Sequence, residues 1–201
     1  MSKICLKTIN NELDNIKPIF NLDEYFIIID KIINNIFLRP VSEKLTYDIM
    51  DTDKLKQNKL IVLKEKQRQM KIGEIMQAIL GNYSKFTNLG NGHESGLDII
   101  SYDMKIIIEL KNRTNTDNAS AKKSNFDKLA KFKISNPEYD CIYGCINDDT
   151  EAKTNKGKIE LIKHNGVELK IYVGSKLLDL ILGDNKNEII THVKNLIDKL
   201  T

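Results

Sequence analysis

Apolar residues recur along this chain with three spacings, and each spacing predicts a different kind of element. Helical spacing comes first. Residues 11–38 give one or two helices, the second being "DEYFIIIDKIINNIFL", in which Asp23 can cap and Phe26, Ile29, Ile32, Ile33 and Ile36 mark one face. Arg39-Pro40 ends it, because the residue before proline is biased away from the helical region. A polar stretch through Asp53 leads into a second helical pattern, with Leu60, Leu63, Met70, Ile75, Met76 and Ile79 on one face and Gly81 as its stop. Gly73 inside that helix costs about 1 kcal/mol relative to alanine, which predicts a close contact there. Next come the apolar arms of "SGLDIISYDMKIIIELK", residues 95–111, which read as a hairpin. "DNASAKKSNFDKLAKFKISNP" predicts a helix that starts near Asn118 or Ser120 and ends before Pro137. The run "YDCIYGCIN" is an apolar strand, and two short strands follow near Ile159–Ile162 and Leu169–Val173. "SKLLDLILG" and "NEIITHVKNLIDKL" close the chain as helices.

The order of these elements implies an α/β or α+β fold, a mixed central β-sheet flanked by helices and preceded by a helical segment. We divide the chain into an N-terminal helical segment, residues 1–53, suited to dimerisation or DNA contacts, and a core, residues 54–201. Repeats and low-complexity tracts are absent. With 41% hydrophobic and 29% charged residues, the composition is that of an ordinary soluble domain. No apolar run approaches the roughly 20 residues that span a bilayer, so no membrane role is expected. The start, Met-Ser-Lys-Ile-Cys, does not resemble a secretory signal, and a cytoplasmic location is the expectation. Three cysteines, Cys5, Cys141 and Cys145, are too few for a disulfide framework. Cys141 and Cys145 share a strand face and read as buried thiols; zinc would need a second ligand pair, and His93, His164 and His192 are scattered singly. A net charge of +3 does not by itself announce a nucleic-acid partner.

The greasy hairpin holds the candidate chemistry, because it also carries Asp98, Glu109 and Lys111. A turn centred on Asp103 and Met104 sets Asp98 directly across from Glu109, and alternation sends Lys111 to the same face. Leu97, Ile99, Ile106, Ile108 and Leu110 take the other face. Two carboxylates on opposed strand positions, with Cβ atoms about 4.5–5.5 Å apart, repel unless a cation lies between them. A hard divalent ion such as magnesium prefers oxygen ligands, and Asp98, Glu109 and the backbone carbonyl of Leu110 supply three. Lys111 can then orient or deprotonate a water and balance charge on a phosphate, which makes a phosphodiester-hydrolysis site. The bland alternative is a surface hairpin whose charges form solvated cross-strand pairs.

Asp98, ten intervening residues and then "ELK" resembles the signature of the PD-(D/E)xK nuclease superfamily, and the order of elements resembles its type II restriction endonuclease branch. "KIGEIMQAILG" is similar to the preceding helix of that superfamily, which often carries a glutamate, here Glu74; "SKLLDLILG" is similar to its closing helix. The resemblance covers about residues 70–183. It implies Asp98 and Glu109 as metal ligands, Lys111 as the catalytic lysine and Glu74 as an accessory ligand or water-orienting group. One departure is that Gly-Leu-Asp stands where the family has Pro-Asp, a change of backbone shape that removes no chemical group. The likeness extends loosely to enzymes that read short GG/CC-containing sites, without fixing a recognition sequence.

Other residues have a functional and a bland reading each. His93, in the glycine-rich "NGHESG", faces DNA or the metal, or only shapes a loop. Asn112, Arg113, Thr114 and Asn115 approach phosphates or bases, or satisfy turn backbone. The helix from Ser120 to Lys133 sets Lys122, Lys123, Lys128, Lys131 and Lys133 beside an apolar stripe, either to neutralise phosphates or as a solvated face. Base selection is expected from the loops after Lys111 and from residues 147–158.

The resemblance implies a Mg2+-dependent, sequence-specific endonuclease of double-stranded DNA, with Mn2+ as a substitute, leaving 5′-phosphate and 3′-hydroxyl ends. A homodimer and a cognate DNA methyltransferase acting on the same site are the expected partners. The alternatives are a Holliday junction resolvase or repair endonuclease on the same fold, and a non-catalytic DNA-binding module.

Overall fold

The computed structural model describes residues 20–37, 70–90, 92–113, 118–147 and 157–200. Expectations for Cys5, the first N-terminal helix, residues 38–69 with the boundary between 53 and 54, Thr114, Asn115 and most of the 147–158 segment lie outside them.

Helix α1 is Leu22–Phe37. Asn21 rather than Asp23 caps it, its side chain accepting from the Asp23 N–H at 3.0 Å. Asp23 and Glu24 occupy the first turn, where their charge suits the positive end of the helix. Tyr25, Ile29, Ile32, Ile33 and Ile36 are buried. Phe26, expected in that stripe, is only half-buried and stacks on His192 at 4.2 Å between ring centroids. Tyr25 takes the inner place because its hydroxyl can donate to the Ile79 carbonyl, so its polar tip is satisfied inside the core. Ile29, Ile32, Ile33 and Ile36 are spent on this domain's own core; of the isoleucines of α1 only Ile27 is strongly exposed.

Helix α2 is described over residues 70–80 and stops at Gly81 as the pattern predicts. Gly73 is not its tight point, since a Cβ there would lie 3.9 Å from the Asn112 Cβ, an ordinary contact. The close approach is at Gly81, where a Cβ would come within 2.7 Å of the Asn88 Cβ.

The strands are β1 (Thr87–Asn88), β2 (Ile99–Ser101), β3 (Ile106–Arg113), β4 (Asp140–Asn147), β5 (Ile159–His164) and β6 (Val167–Val173). They form a mixed sheet in the order β1-β2-β3-β4-β6-β5, parallel across β3, β4 and β6 and antiparallel toward both edges. Helix α3 (Ala119–Ser135) makes the crossover from β3 to β4 and is capped by Asn118, which accepts from the Ala121 N–H at 2.8 Å. Helix α4 (Ser175–Leu182) and, after a short 3-10 turn, helix α5 (Lys186–Leu200) end the described chain.

Both faces of the sheet are covered, which is why "IIIEL" and "CIYGCI" read as continuous apolar runs rather than alternating ones. One core joins α1, α2, α4 and α5 to Ile99, Ile106, Ile108, Leu110, Ile142 and Ile146. The other sets Leu129 of α3 among Leu97, Ile100, Ile107, Tyr139, Cys141, Tyr143, Cys145, Leu169 and Val173. Leu97 thus lies on the face opposite the one that alternation assigned. Cys141 and Cys145 are free, buried thiols, and burial pushes the Cys141 thiol up to about 11. No described helix is long and apolar enough to cross a membrane.

Candidate active site

The β2–β3 hairpin pairs Ile99 with Ile108, Ile100 with Ile107 and Ser101 with Ile106, around a turn of residues 102–105. This is the register expected from a turn centred on Asp103 and Met104. At its open end the ladder departs from regular pairing. The Asp98 N–H donates to the Ile108 carbonyl at 3.1 Å, so Asp98 and Ile99 both oppose Ile108. Two residues against one is a β-bulge, a device that bends a strand and re-aims a side chain. Simple alternation placed Asp98 squarely opposite Glu109; in the structure Asp98 lies beyond the end of β2 against Ile108, and its carboxylate turns to the Leu110 N–H instead. The same extra residue puts the preceding chain out of phase and sends Leu97 to the α3 side.

The bulge gives the Asp98 carboxylate an unusual bond. Its Oδ2 accepts from the Leu110 N–H at 2.7 Å, while the Asp98 carbonyl accepts from the Leu89 N–H at 2.9 Å. In a strand the N–H and C=O of one residue leave on the same edge, so the Leu110 carbonyl points to the edge where Asp98 lies. On the other oxygen, Gln77 of α2 reaches Asp98 Oδ1 at 3.2 Å.

Glu109 is 3% exposed on β3, beside Tyr143 of β4. Its Oε1 accepts from Lys111 Nζ at 2.6 Å, and among the described residues its buried Oε2 has no hydrogen-bond partner. An unpaired carboxylate oxygen away from water costs about 1–3 kcal/mol or more. Burial pushes the Glu109 carboxyl above its usual range and the Asp98 charge adds to this, against the Lys111 hydrogen bond and the charges of Lys111 and Lys128. Burial also pushes Asp98 up, opposed by the Leu110 N–H and by Lys111 and Lys128. Two carboxylates that resist ionising together, one with an orphaned oxygen, fit an oxygen-preferring divalent cation. The described residues hold no cluster of three or more histidine, cysteine or acidic side chains, so main-chain oxygen, water or substrate would complete such a shell.

The remaining candidates divide. Glu74 is half-buried on α2, one helical turn before Gln77, which is the α2 side chain bonded to Asp98. His93 sits in the turn ahead of the bulge, with Nδ1 2.8 Å from Ser95 Oγ and its carbonyl accepting from the Gly96 N–H at 2.9 Å. Asn112 is tied to β4, its carbonyl and Oδ1 both accepting from Asn147 Nδ2 at 3.0 Å. Arg113 is exposed at the end of β3. Lys122 lies over the rings of Phe126 and Tyr143, at 5.9 and 6.0 Å from their centroids, and Lys123 is exposed. The α3 lysine whose charge acts on both carboxylates is Lys128, held by the Gly96 carbonyl at 3.3 Å and by the buried Asn125 at 3.4 Å.

Gln77 was not among the sequence candidates, and Lys128 was there only as one of five α3 lysines offered to phosphates. Gln77 was detectable as the residue one turn after Glu74, on the same side of its helix. Lys128 stood in a run of similar lysines, and nothing local singled it out.

Comparison with known proteins gives one family. The family model that matches is described as Eco47II restriction endonuclease, and the match runs over residues 2–200. No curated protein matches the chain.

Proposed function

Since the chain belongs to the Eco47II restriction endonuclease family and is a type II site-specific deoxyribonuclease acting on DNA, we propose that the Asp98–Glu109–Lys111 cluster is its active site and that Mg2+ is its cofactor. The observation that carries this reading is the convergence of the three groups at one end of the β2–β3 hairpin, with Glu109 Oε2 left unpaired.

Asp98, Glu109 and the Leu110 carbonyl would hold the cation. When bound, a divalent ion supplies Lewis acidity and positive charge at the scissile phosphate. Lys111, whose side chain is 23% exposed beside Glu109, presents an ammonium to solvent and substrate. It balances negative charge as the phosphate goes through displacement, and it donates a hydrogen bond that orients the attacking water. Lys128 adds fixed positive charge from α3. Attack of water at phosphorus with loss of the 3′ oxygen leaves 5′-phosphate and 3′-hydroxyl ends. Glu74 is proposed as an accessory metal ligand or water-orienting group. Arg113, Lys122, Lys123, Asn112, Asn115 and His93 are proposed to face DNA, Asn112 from the end of β3 and His93 from the turn it braces.

Cutting both strands at a palindromic site is achieved most simply by a twofold homodimer, and self-protection by a methyltransferase that modifies the same site. The test is incubation of plasmid DNA and a synthetic four-way junction with the protein plus Mg2+ or Mn2+. Discrete plasmid fragments with 5′-phosphate ends are the expected result. Junction-only cleavage would favour a resolvase, and binding without cleavage would sink the assigned roles.

A further inference from the structure

Asp98 is anchored from α2, the helix that precedes the hairpin. Gln77 Nε2 lies 3.2 Å from Asp98 Oδ1 and 3.5 Å from Asn88 Oδ1. An ionised carboxylate only accepts, so the amide must turn its nitrogen toward Asp98; the reverse orientation would set two oxygens against each other. The second oxygen, Oδ2, is already fixed by the Leu110 N–H at 2.7 Å. Each carboxylate oxygen therefore has its own donor, one from the sheet and one from α2.

Asn88 makes this contact a built one. Its Oδ1 accepts from the Gly90 N–H at 3.0 Å, and its backbone pairs with Ile99, the second residue of the bulge. One turn after Gln77, the Gly81 N–H bonds to the Gln77 carbonyl at 2.9 Å, and a Cβ at Gly81 would come within 2.7 Å of the Asn88 Cβ. The missing side chain at Gly81 lets α2 rest directly on β1. That contact sets how far the Gln77 amide reaches into the hairpin.

We infer that Gln77 is a positioning residue for the reaction, fixing the Asp98 carboxylate in the orientation in which it shares a divalent cation with Glu109. The inference rests on the reading of Asp98 and Glu109 as cation-holding groups. The physical need is clear from the neighbours. Asp98 is half-buried and faces the repulsion of Glu109, so without a donor on Oδ1 its side chain is free to turn toward water about the Leu110 bond. Gln77 blocks that rotation while adding no charge to compete with the cation.

The test is Gln77→Met, which keeps chain length and helix preference and removes the donor. Cation binding without DNA is read from the rise in unfolding temperature with Mg2+ or Mn2+ and by calorimetric titration. Removing a hydrogen-bond partner of a metal-holding carboxylate typically costs about 10–100-fold in metal affinity, and a loss in that range is expected. The unfolding temperature without cation should stay within about 2 °C of the wild type, since Gln77 is only half-buried and methionine keeps its length. Cleavage should recover as Mg2+ is raised, with KM for DNA unchanged. A variant that binds cation as tightly as the wild type, or whose lost cleavage no Mg2+ concentration restores, overturns the inference while leaving the site assignment standing. A wild-type protein with no response to either cation overturns both.

Discussion

Two hairpins flank the parallel centre of this sheet, and they differ in nearly every respect that matters. The β5–β6 hairpin is regular. It pairs without interruption from Ile159–Tyr172 to His164–Val167 around Asn165-Gly166, both with positive φ (49° and 82°), the backbone a tight two-residue turn demands. Its charges are solvated, as in the Lys158–Glu160 pair at 2.8 Å with both side chains nearly half exposed. The β2–β3 hairpin pairs three residues, turns through a longer loop, then bulges, and it buries Glu109. One ribbon keeps the local rules of ladder, turn and charge. The other breaks two of them, ladder continuity and burial of charge only with full pairing, at the place where chemistry is proposed.

The largest effect expected from this contrast is on cleavage. Lys111→Ala should lower the rate by about 10²–10³-fold or more, judged by the cost of losing one charge-stabilising donor, while DNA binding measured by gel shift persists. The matched change in the regular hairpin, Lys163→Ala at an exposed position, should leave cleavage unaltered. Equal losses from both would dissolve the distinction.

Next in size is a gain in stability. Asp98 has a folded-state pKa raised by burial, so the native state binds more protons than the unfolded chain in the window between the ordinary value and the raised one. The contribution of Asp98 to the stability of the cation-free protein is therefore fully present below that window and is lost as pH rises through it. Asp98→Asn removes the burden and keeps an oxygen for the Leu110 N–H. At neutral pH without divalent cation it should melt higher by roughly 2–4 °C, about 1 kcal/mol in a domain of this size. The gap should close as pH falls through the raised pKa. If the Asp98→Asn variant instead melts lower at neutral pH, the account of a strained acidic pair is contradicted.

A comparable but opposite change is expected in the regular hairpin. Gly166 has φ of 82° with open space around the missing Cβ, so Gly166→Ala meets only the backbone penalty, about 1 kcal/mol. Thermal melting should fall by about 2–4 °C with cleavage per folded molecule unchanged. Smallest of all, Glu160→Gln should shift stability by less than about 0.5 kcal/mol, because the ion pair it breaks is solvated.

How far each region could be read from sequence follows the same division. The β5–β6 strands, α3 with Asn118 at its start and α4 were legible because each is specified by local signals, period and caps. The hairpin register was legible because its turn was. The bulge was not, since counting by twos gives every residue one step along the ladder and cannot register an extra one. Leu97 was misplaced for that reason alone. Tyr25 outranked Phe26 because a distant carbonyl, that of Ile79, satisfied its hydroxyl. Gln77 became part of the site through helix–strand contact at Gly81, a separation that no short window spans. The acidic pair and its lysine needed only the hairpin, so they were visible; what holds them in place comes from α2 and α3.

The bulge also makes loss of cutting easy to reach without loss of folding. Because Asp98 and Ile99 share one opposite residue, in-frame loss of the Asp98 codon alone would set Leu97 beside Ile99 in regular alternation, still on the α3 side, yielding a tidier ribbon without its acid. Inactive, well-folded descendants of this chain are thus one short mutational event away.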